Sequence, residues 1–145
     1  MKHPPIALRI ATIALCLGLA GAPVGAHDDD LGRAPAAGSL EGTWRLVSPR
    51  LEPGHAEYKV VSAGRFAWYV VAGGRMIRGA EGRASLDGGT YRERIDSVIS
   101  DEFAWMVGAG GRFSAELDGD RWRHHGTVEG GGRRIEVDEL WERVR

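Results

Sequence analysis

The sequence predicts an all-β domain that folds as an antiparallel up-and-down β-barrel of about eight strands. Three observations predict it: apolar and polar residues alternate in short runs, glycine-rich turns separate these runs about every ten residues, and no long helical period occurs. Glycine adopts the positive φ that tight hairpins require, and Asp-Gly, as at 87–88 and 118–119, is a strong hairpin signal. A β-sandwich satisfies the alternation equally well, but closure into a barrel removes exposed strand edges.

Seven segments show this alternation in chain order. They cover 40–47, 66–71, 75–86, 90–97, 111–117, 121–128 and 133–144. The second segment has an alternative start near Tyr58, with a break at 63–64. Segment 100–107 stays open between a short helix, whose start Ser100 would cap, and an edge strand.

Residues 1–26 have the organisation of a secretory signal peptide. Lys2 and Arg9 give a basic start, the apolar run 10–22 follows, and small residues lead up to a cleavage site near Ala26. A retained membrane anchor is the alternative, but the apolar run is shorter than the ~20 residues that span a bilayer. We therefore expect export, to the periplasm or out of the cell, without a stable membrane anchor.

Cys16 is the one cysteine of the chain, and it lies within the apolar run after Leu15. A bacterial lipoprotein signal has a small residue at that preceding position, so we assign Cys16 to the signal peptide. The exported chain then lacks disulfides, a thiol nucleophile and thiolate metal ligands. Residues 27–39 are too polar and too rich in glycine, alanine and proline to bury a face, which predicts a flexible linker before a domain at 40–145.

Charge argues against a nucleic-acid partner. The chain has 19 basic and 20 acidic residues, a net charge of −1, and loses two basic residues with the signal peptide. A nucleic-acid-binding protein usually shows a clustered basic face instead. The oligomeric state stays open.

Four polar residues fall on the inward faces that alternation assigns: Tyr91, Glu93, His124 and Glu139. A carboxylate in an apolar interior costs several kcal/mol unless it is paired or hydrogen-bonded, so these residues predict a shared polar site. Binding pockets combine such groups with an aromatic lining. The predicted lining is Phe66, Trp68, Trp122 and Trp141. On the last strand, Ile135 and Val137 are also assigned inward.

The start and the end of the domain carry a family resemblance. Gly42-x-Trp44 stands in the first strand, and a basic residue, Arg143 or Arg145, ends the last strand. This combination resembles the lipocalin and fatty-acid-binding-protein superfamily, the calycins. The resemblance implies that Trp44 closes the base of the barrel and that the late arginine packs across it.

Further segments extend the resemblance over about residues 40–144. They lie at 65–68, 89–95, 118–126 and 138–143. Together they resemble small bacterial exported proteins described as lipocalin-like domains of unknown function, although the glycine-rich linkers here are longer. The resemblance implies a calycin-like barrel and export, and it implies no activity and no catalytic residue.

Three functions stay open for the predicted site. The first is an exported binding protein that holds a small apolar or amphipathic molecule inside the barrel. The second is an enzyme of isomerase or hydrolase type, in which His124 is the acid or base and Glu93 or Glu139 orients it. Tyr91 would then donate to a developing oxyanion. The third is a structural or interaction module with a filled core.

We expect neither a metal nor a cofactor. His124 and His125 are adjacent, so on a strand they point to opposite faces, and no His-x-His spacing occurs among the inward positions. The glycine-rich turns lack the lysine and the following helix of a phosphate-binding loop.

Overall fold

The computed structural model describes residues 39–47 and 51–145. The predicted signal peptide at 1–26, with Cys16, and nearly all of the predicted linker at 27–39 lie outside the described residues. Within the described ranges, no helix is long and apolar enough to cross a membrane.

Eight antiparallel strands form a closed barrel in which each strand pairs with its neighbours in sequence. Their bounds are β1 Gly42–Leu46, β2 His55–Ser62, β3 Arg65–Ala72, β4 Arg75–Asp87, β5 Thr90–Val98, β6 Gly110–Asp118, β7 Arg121–Gly130 and β8 Arg133–Arg143. The barrel closes where β1 pairs with β8, with Leu46 opposite Trp141. The prediction of an all-β, up-and-down barrel of about eight strands is confirmed.

Two segments that the sequence left open are now assigned. The second predicted strand is a hairpin of β2 and β3, and its turn at Ala63 and Gly64 has φ angles of 50° and 73°. Segment 100–107 contains a 3₁₀ helix, Asp101–Met106, and not an edge strand. Ser100 precedes this helix, but its side chain makes no capping hydrogen bond.

Two inward glycines let neighbouring strands approach closely. A Cβ on Gly82 would collide with the carbonyl oxygen of Arg94, and one on Gly126 would collide with that of Arg112. The pairing of β4 with β5 also shifts register next to Gly82. Glycines of this kind, with bulges, give a sheet the curvature that barrel closure requires.

The base of the barrel is packed with aromatic rings. Trp44, Trp122 and Trp141 are fully buried, with ring centres 5.6 Å apart for Trp44 and Trp122 and 6.2 Å apart for Trp122 and Trp141. Such aromatic pairs contribute about 0.5–1.5 kcal/mol beyond the area that they bury. These rings therefore fill the centre of this end, and a cleft of about 340 Å³ lies beside them, lined by Leu40, Val61 and Tyr91 among others.

An arginine closes the base from outside. The guanidinium carbon of Arg143 lies 4.1 Å from the ring centre of Trp44, and the group donates to the backbone carbonyls of Glu41 and Ser39. Both arginines that the resemblance offered pair with Asp120, but Arg143 is the one that stacks on Trp44.

Candidate functional site

A layer of polar side chains lies directly above the aromatic base. Side chains two residues apart on a strand share a face. On four strands, the inward residue in the base is therefore followed, two positions along, by an inward polar residue. The steps are Val61 to Lys59 on β2, Tyr91 to Glu93 on β5, Trp122 to His124 on β7 and Trp141 to Glu139 on β8. We call Lys59, Glu93, His124 and Glu139 the polar layer.

Lys59 and Glu93 form a buried ion pair. The distance from Lys59 Nζ to Glu93 Oε1 is 2.7 Å, and both side chains are almost completely buried. Tyr91 donates its hydroxyl hydrogen to the same oxygen, also at 2.7 Å. Lys59 Nζ further lies 4.9 Å from the ring centre of Trp141, which is a cation–π distance. This pair is therefore satisfied within the protein.

His124 and Glu139 form the second pair of the layer. His124 Nε2 lies 2.8 Å from Glu139 Oε2, and Trp141 Nε1 donates to the same oxygen at 3.2 Å. The side chain of His124 is fully buried, whereas that of Glu139 is 27% exposed. Its imidazole stacks on Phe113 with ring centres 4.6 Å apart.

Charge states within this second pair follow from its surroundings. Burial, and then the charge of Lys59, lowers the pKa of His124, which makes the ring neutral at pH 7. Burial opposes ionisation of Glu139, but the hydrogen bond from His124 and the charge of Lys59 outweigh it, and the pKa of Glu139 is lowered. Nε2 of His124 therefore carries the hydrogen and donates it. Its Nδ1 remains an acceptor, without a partner among the described residues.

Glu57 lies above Lys59 on β2, nearer to the open end of the barrel. Burial, followed by the negative charge of Glu139, raises the pKa of Glu57 from its ordinary value of 4.5 to about 7. The positive charges of Lys59 and Arg78 oppose this shift only in part. Among the described residues, no hydrogen bond or ion pair involves the Glu57 carboxylate. It is thus a half-buried acid without a neutralising contact among the described residues.

The end of the barrel opposite Trp44 is here called the mouth. A cavity opens at the mouth, above the polar layer. Its volume is about 270 Å³, and the whole polar layer contributes to its wall. A second compartment of about 340 Å³ shares part of this wall and extends toward Arg78. The two compartments have in common Glu57, Trp68, Phe103, Ile135, Val137 and Glu139.

The 3₁₀ helix covers part of the mouth. Phe103 meets Trp68 edge to face, with ring centres 6.1 Å apart, and Met106 is buried. At the far side of the mouth, the guanidinium carbon of Arg133 lies 5.1 Å from the ring centre of Trp105. The helix therefore supplies aromatic side chains that the strands alone do not provide.

The residues predicted from the sequence divide into two groups. Four lie in the base and line neither compartment at the mouth: Phe66, Tyr91, Trp122 and Trp141. The other four line the cavity: Trp68, Glu93, His124 and Glu139. Ile135 also lines it, but at 42% exposure it lies on the rim and not in the core to which alternation assigned it.

Sequence reasoning missed Lys59, Glu57 and Phe103. Lys59 alternates with Val61 and is the one lysine after residue 2, which was the available signal. Phe103 lies in the segment that was left open between helix and strand. For the catalytic hypothesis, the structure pairs His124 with Glu139, while Glu93 and Tyr91 are engaged with each other and with Lys59.

Comparison of this chain with protein-family models, with curated proteins and with solved structures gives no match. The barrel is shown by its own strand pairing.

Proposed function

We propose that this protein is an exported binding protein that holds a small, partly apolar molecule at the mouth of the barrel. The observation that carries the proposal is the difference in packing between the two ends of the barrel interior. Trp44, Trp122 and Trp141 are fully buried and fill the centre of the base, whereas a cavity of about 270 Å³ remains above the polar layer.

The lining of this cavity has the composition of a binding pocket. Ligand sites combine hydrophobic and aromatic walls with a few placed polar groups, and they usually measure about 300–1,000 Å³. Trp68, Phe103 and Val137 supply apolar walls here, and Glu139 and Glu57 supply polar groups. A cavity near the lower end of that range favours a small molecule over a long-chain lipid.

Burial of charge also supports a binding role. Transfer of a carboxylate into an apolar interior costs several kcal/mol unless a partner offsets the cost. Glu93 has its partners in Lys59 and Tyr91, but Glu57 has no such contact among the described residues. A barrel selected for stability alone would place an apolar residue at position 57.

Export rests on the signal-peptide pattern at 1–26, and the resemblance of 40–144 to exported lipocalin-like domains agrees with export. Both are sequence arguments. Together with the cavity they favour a protein that carries or captures a small molecule outside the cytoplasm.

The proposal is tested by calorimetric titration of the exported protein with three compounds that share one indole ring: tryptamine, tryptophol and indole-3-propionate. We expect at least one of them to bind. Val137→Trp fills the shared wall of both compartments and should abolish that binding.

Val144→Trp is the matched control, because it adds the same volume at an exposed position of the base end. It should leave binding unchanged. Failure of all three compounds to bind, or equal effects of the two tryptophan substitutions, would overturn the proposed function.

A further inference from the structure

We propose that the ligand is a small organic cation, a protonated amine on an apolar body, whose charge lies between Glu57 and Glu139. This inference rests on the proposed binding function and specifies the chemistry of its ligand.

The two carboxylates share both compartments of the cavity but come from different strands. Glu57 is on β2 and Glu139 is on β8, and each lines the wall of both compartments. Glu139 uses Oε2 for its bonds from His124 and Trp141, and within the described ranges Oε1 makes no hydrogen bond. Acceptor oxygens on both residues are therefore available to a ligand.

Charge around the cavity is not balanced. Lys59 and Glu93 neutralise each other at 2.7 Å, and His124 is neutral, which leaves Glu139 and Glu57. The outer compartment adds Arg78 and two carboxylates, Glu136 and Asp138. These two carboxylates pair with Arg134 and Arg123 on the exposed face, so among the described residues Arg78 is the further cation of the wall. With both glutamates ionised, one negative charge remains uncompensated.

A second observation points the same way. His124 is 1% exposed and lines the cavity wall, and its Nδ1 is an acceptor that no donor reaches among the described residues. Lys59 Nζ donates to Glu93 alone, and the other groups of the inner compartment without a partner among the described residues are acceptors: the Glu57 carboxylate, Glu139 Oε1 and His124 Nδ1. Arg78 Nε is an unpartnered donor, but it belongs to the outer compartment.

Ligands of other charge fit these groups less well. An anion would be repelled by Glu57 and Glu139. A neutral apolar molecule would displace water from the same carboxylates and leave them without a partner, which is costly. An ammonium group supplies up to three hydrogens and one positive charge, and it would hold Glu57 ionised despite its burial.

The aromatic walls complete the match. Trp68 and Phe103 meet edge to face at 6.1 Å on the wall shared by both compartments. Their rings would contact the apolar body of the ligand and attract an adjacent ammonium group through their faces.

The indole series separates this inference from the proposed function. At pH 8, we expect tryptamine to bind at least about tenfold more tightly than tryptophol and indole-3-propionate. Only tryptamine carries an ammonium group, which would form a charge-assisted hydrogen bond. Glu57→Gln should weaken tryptamine binding about tenfold and leave tryptophol binding unchanged. Glu116→Gln, on the exposed outer face of β6, is the matched control and should change neither.

Two results would overturn the inference while the binding function stands. One is tighter or equal binding of tryptophol or indole-3-propionate, and the other is unchanged tryptamine affinity in Glu57→Gln. If none of the three compounds binds the native protein, the binding function and this inference fail together.

Discussion

Lys59 and Glu93 lie 34 residues apart in the chain, yet their side chains form an ion pair of 2.7 Å in the middle of the barrel. Tyr91 donates a hydrogen bond to the same carboxylate oxygen. A buried ion pair contributes little more than an apolar pair of the same shape would, but removal of one partner leaves an uncompensated charge. Substitution of one partner should therefore lower the free energy of unfolding more than substitution of both partners.

We predict that Lys59→Met lowers the free energy of unfolding by about 3–5 kcal/mol, because the Glu93 carboxylate then has no cation. The double variant Lys59→Met/Glu93→Gln should recover most of this loss, since a neutral glutamine still accepts the hydrogen bond from Tyr91. Urea denaturation at neutral pH measures both values. A double variant no more stable than the single one would show that the pair is not coupled in this way.

The exposed ion pair of Arg121 with Glu142, at 3.2 Å, provides a comparison. Arg121→Met should cost less than about 1 kcal/mol, because solvent screens exposed pairs.

Arg143 is predicted to stabilise the base of the barrel. Arg143→Met removes two hydrogen bonds to backbone carbonyls, the cation–π contact with Trp44 and an ion pair with Asp120 at 3.4 Å, so it should lower the free energy of unfolding by about 2–3 kcal/mol. Arg145→Met is the matched control, because Arg145 is exposed and, among the described residues, pairs with Asp120 alone. This substitution should leave the free energy of unfolding nearly unchanged, because solvent screens an exposed pair. An equal loss of unfolding free energy in the two variants would show that Arg143 does not stabilise the base.

The sequence predicts most of the fold because its signals are local. The alternation of Trp122, His124 and Val128 and the Asp-Gly turn at 118–119 place β6 and β7 to within a few residues. The strand at 55–62 was harder to recognise, because Glu57 and Lys59 occupy inward positions and interrupt the apolar alternation that identifies a buried face.

The candidate site is less predictable, because its contacts join residues that are distant in the chain. His124 and Glu139 are direct partners of neighbouring strands, so alternation brings them together. The pairing of Lys59 with Glu93 arises only when the barrel closes around its axis. Some of the predicted aromatic residues lie in the base and others line the cavity, depending on their position along the barrel axis. Alternation predicts which side chains point inward, but it does not predict this position. Phe66 and Trp68 share a face of β3, but only Trp68 lines the cavity.

Gly126 is predicted to be essential for closure. A Cβ at this position would collide with the carbonyl oxygen and the following backbone of Arg112 on β6. Gly126→Ala should therefore cost at least about 1–3 kcal/mol, which is the usual penalty of overpacking. Gly110→Ala is the matched control, because its Cβ would have only an ordinary contact at 4.0 Å with the Glu93 carbonyl oxygen. Thermal unfolding by circular dichroism compares the two, and a milder effect at Gly126 than at Gly110 would contradict the prediction.

Stability is predicted to depend on pH through Glu57. Its folded pKa is about 7, above the ordinary value of 4.5 that describes the unfolded chain, so the folded state binds the proton more tightly. The corresponding stabilisation is fully present below about pH 4.5 and is lost as the pH rises to about 7. Within that window the free energy of unfolding should fall by up to about 1.4 kcal/mol per pH unit on account of this residue.

Glu57→Gln isolates this contribution, because His124 and Glu139 titrate in the native protein as well, both with lowered pKa values and with the opposite sign. Urea denaturation of both proteins between pH 4.5 and pH 8 gives the difference in unfolding free energy. This difference should move steadily in favour of the glutamine variant as the pH rises through that range and should level off above about pH 7. A difference that stays constant with pH would mean that Glu57 is solvated in the folded protein and that its pKa is not raised by burial.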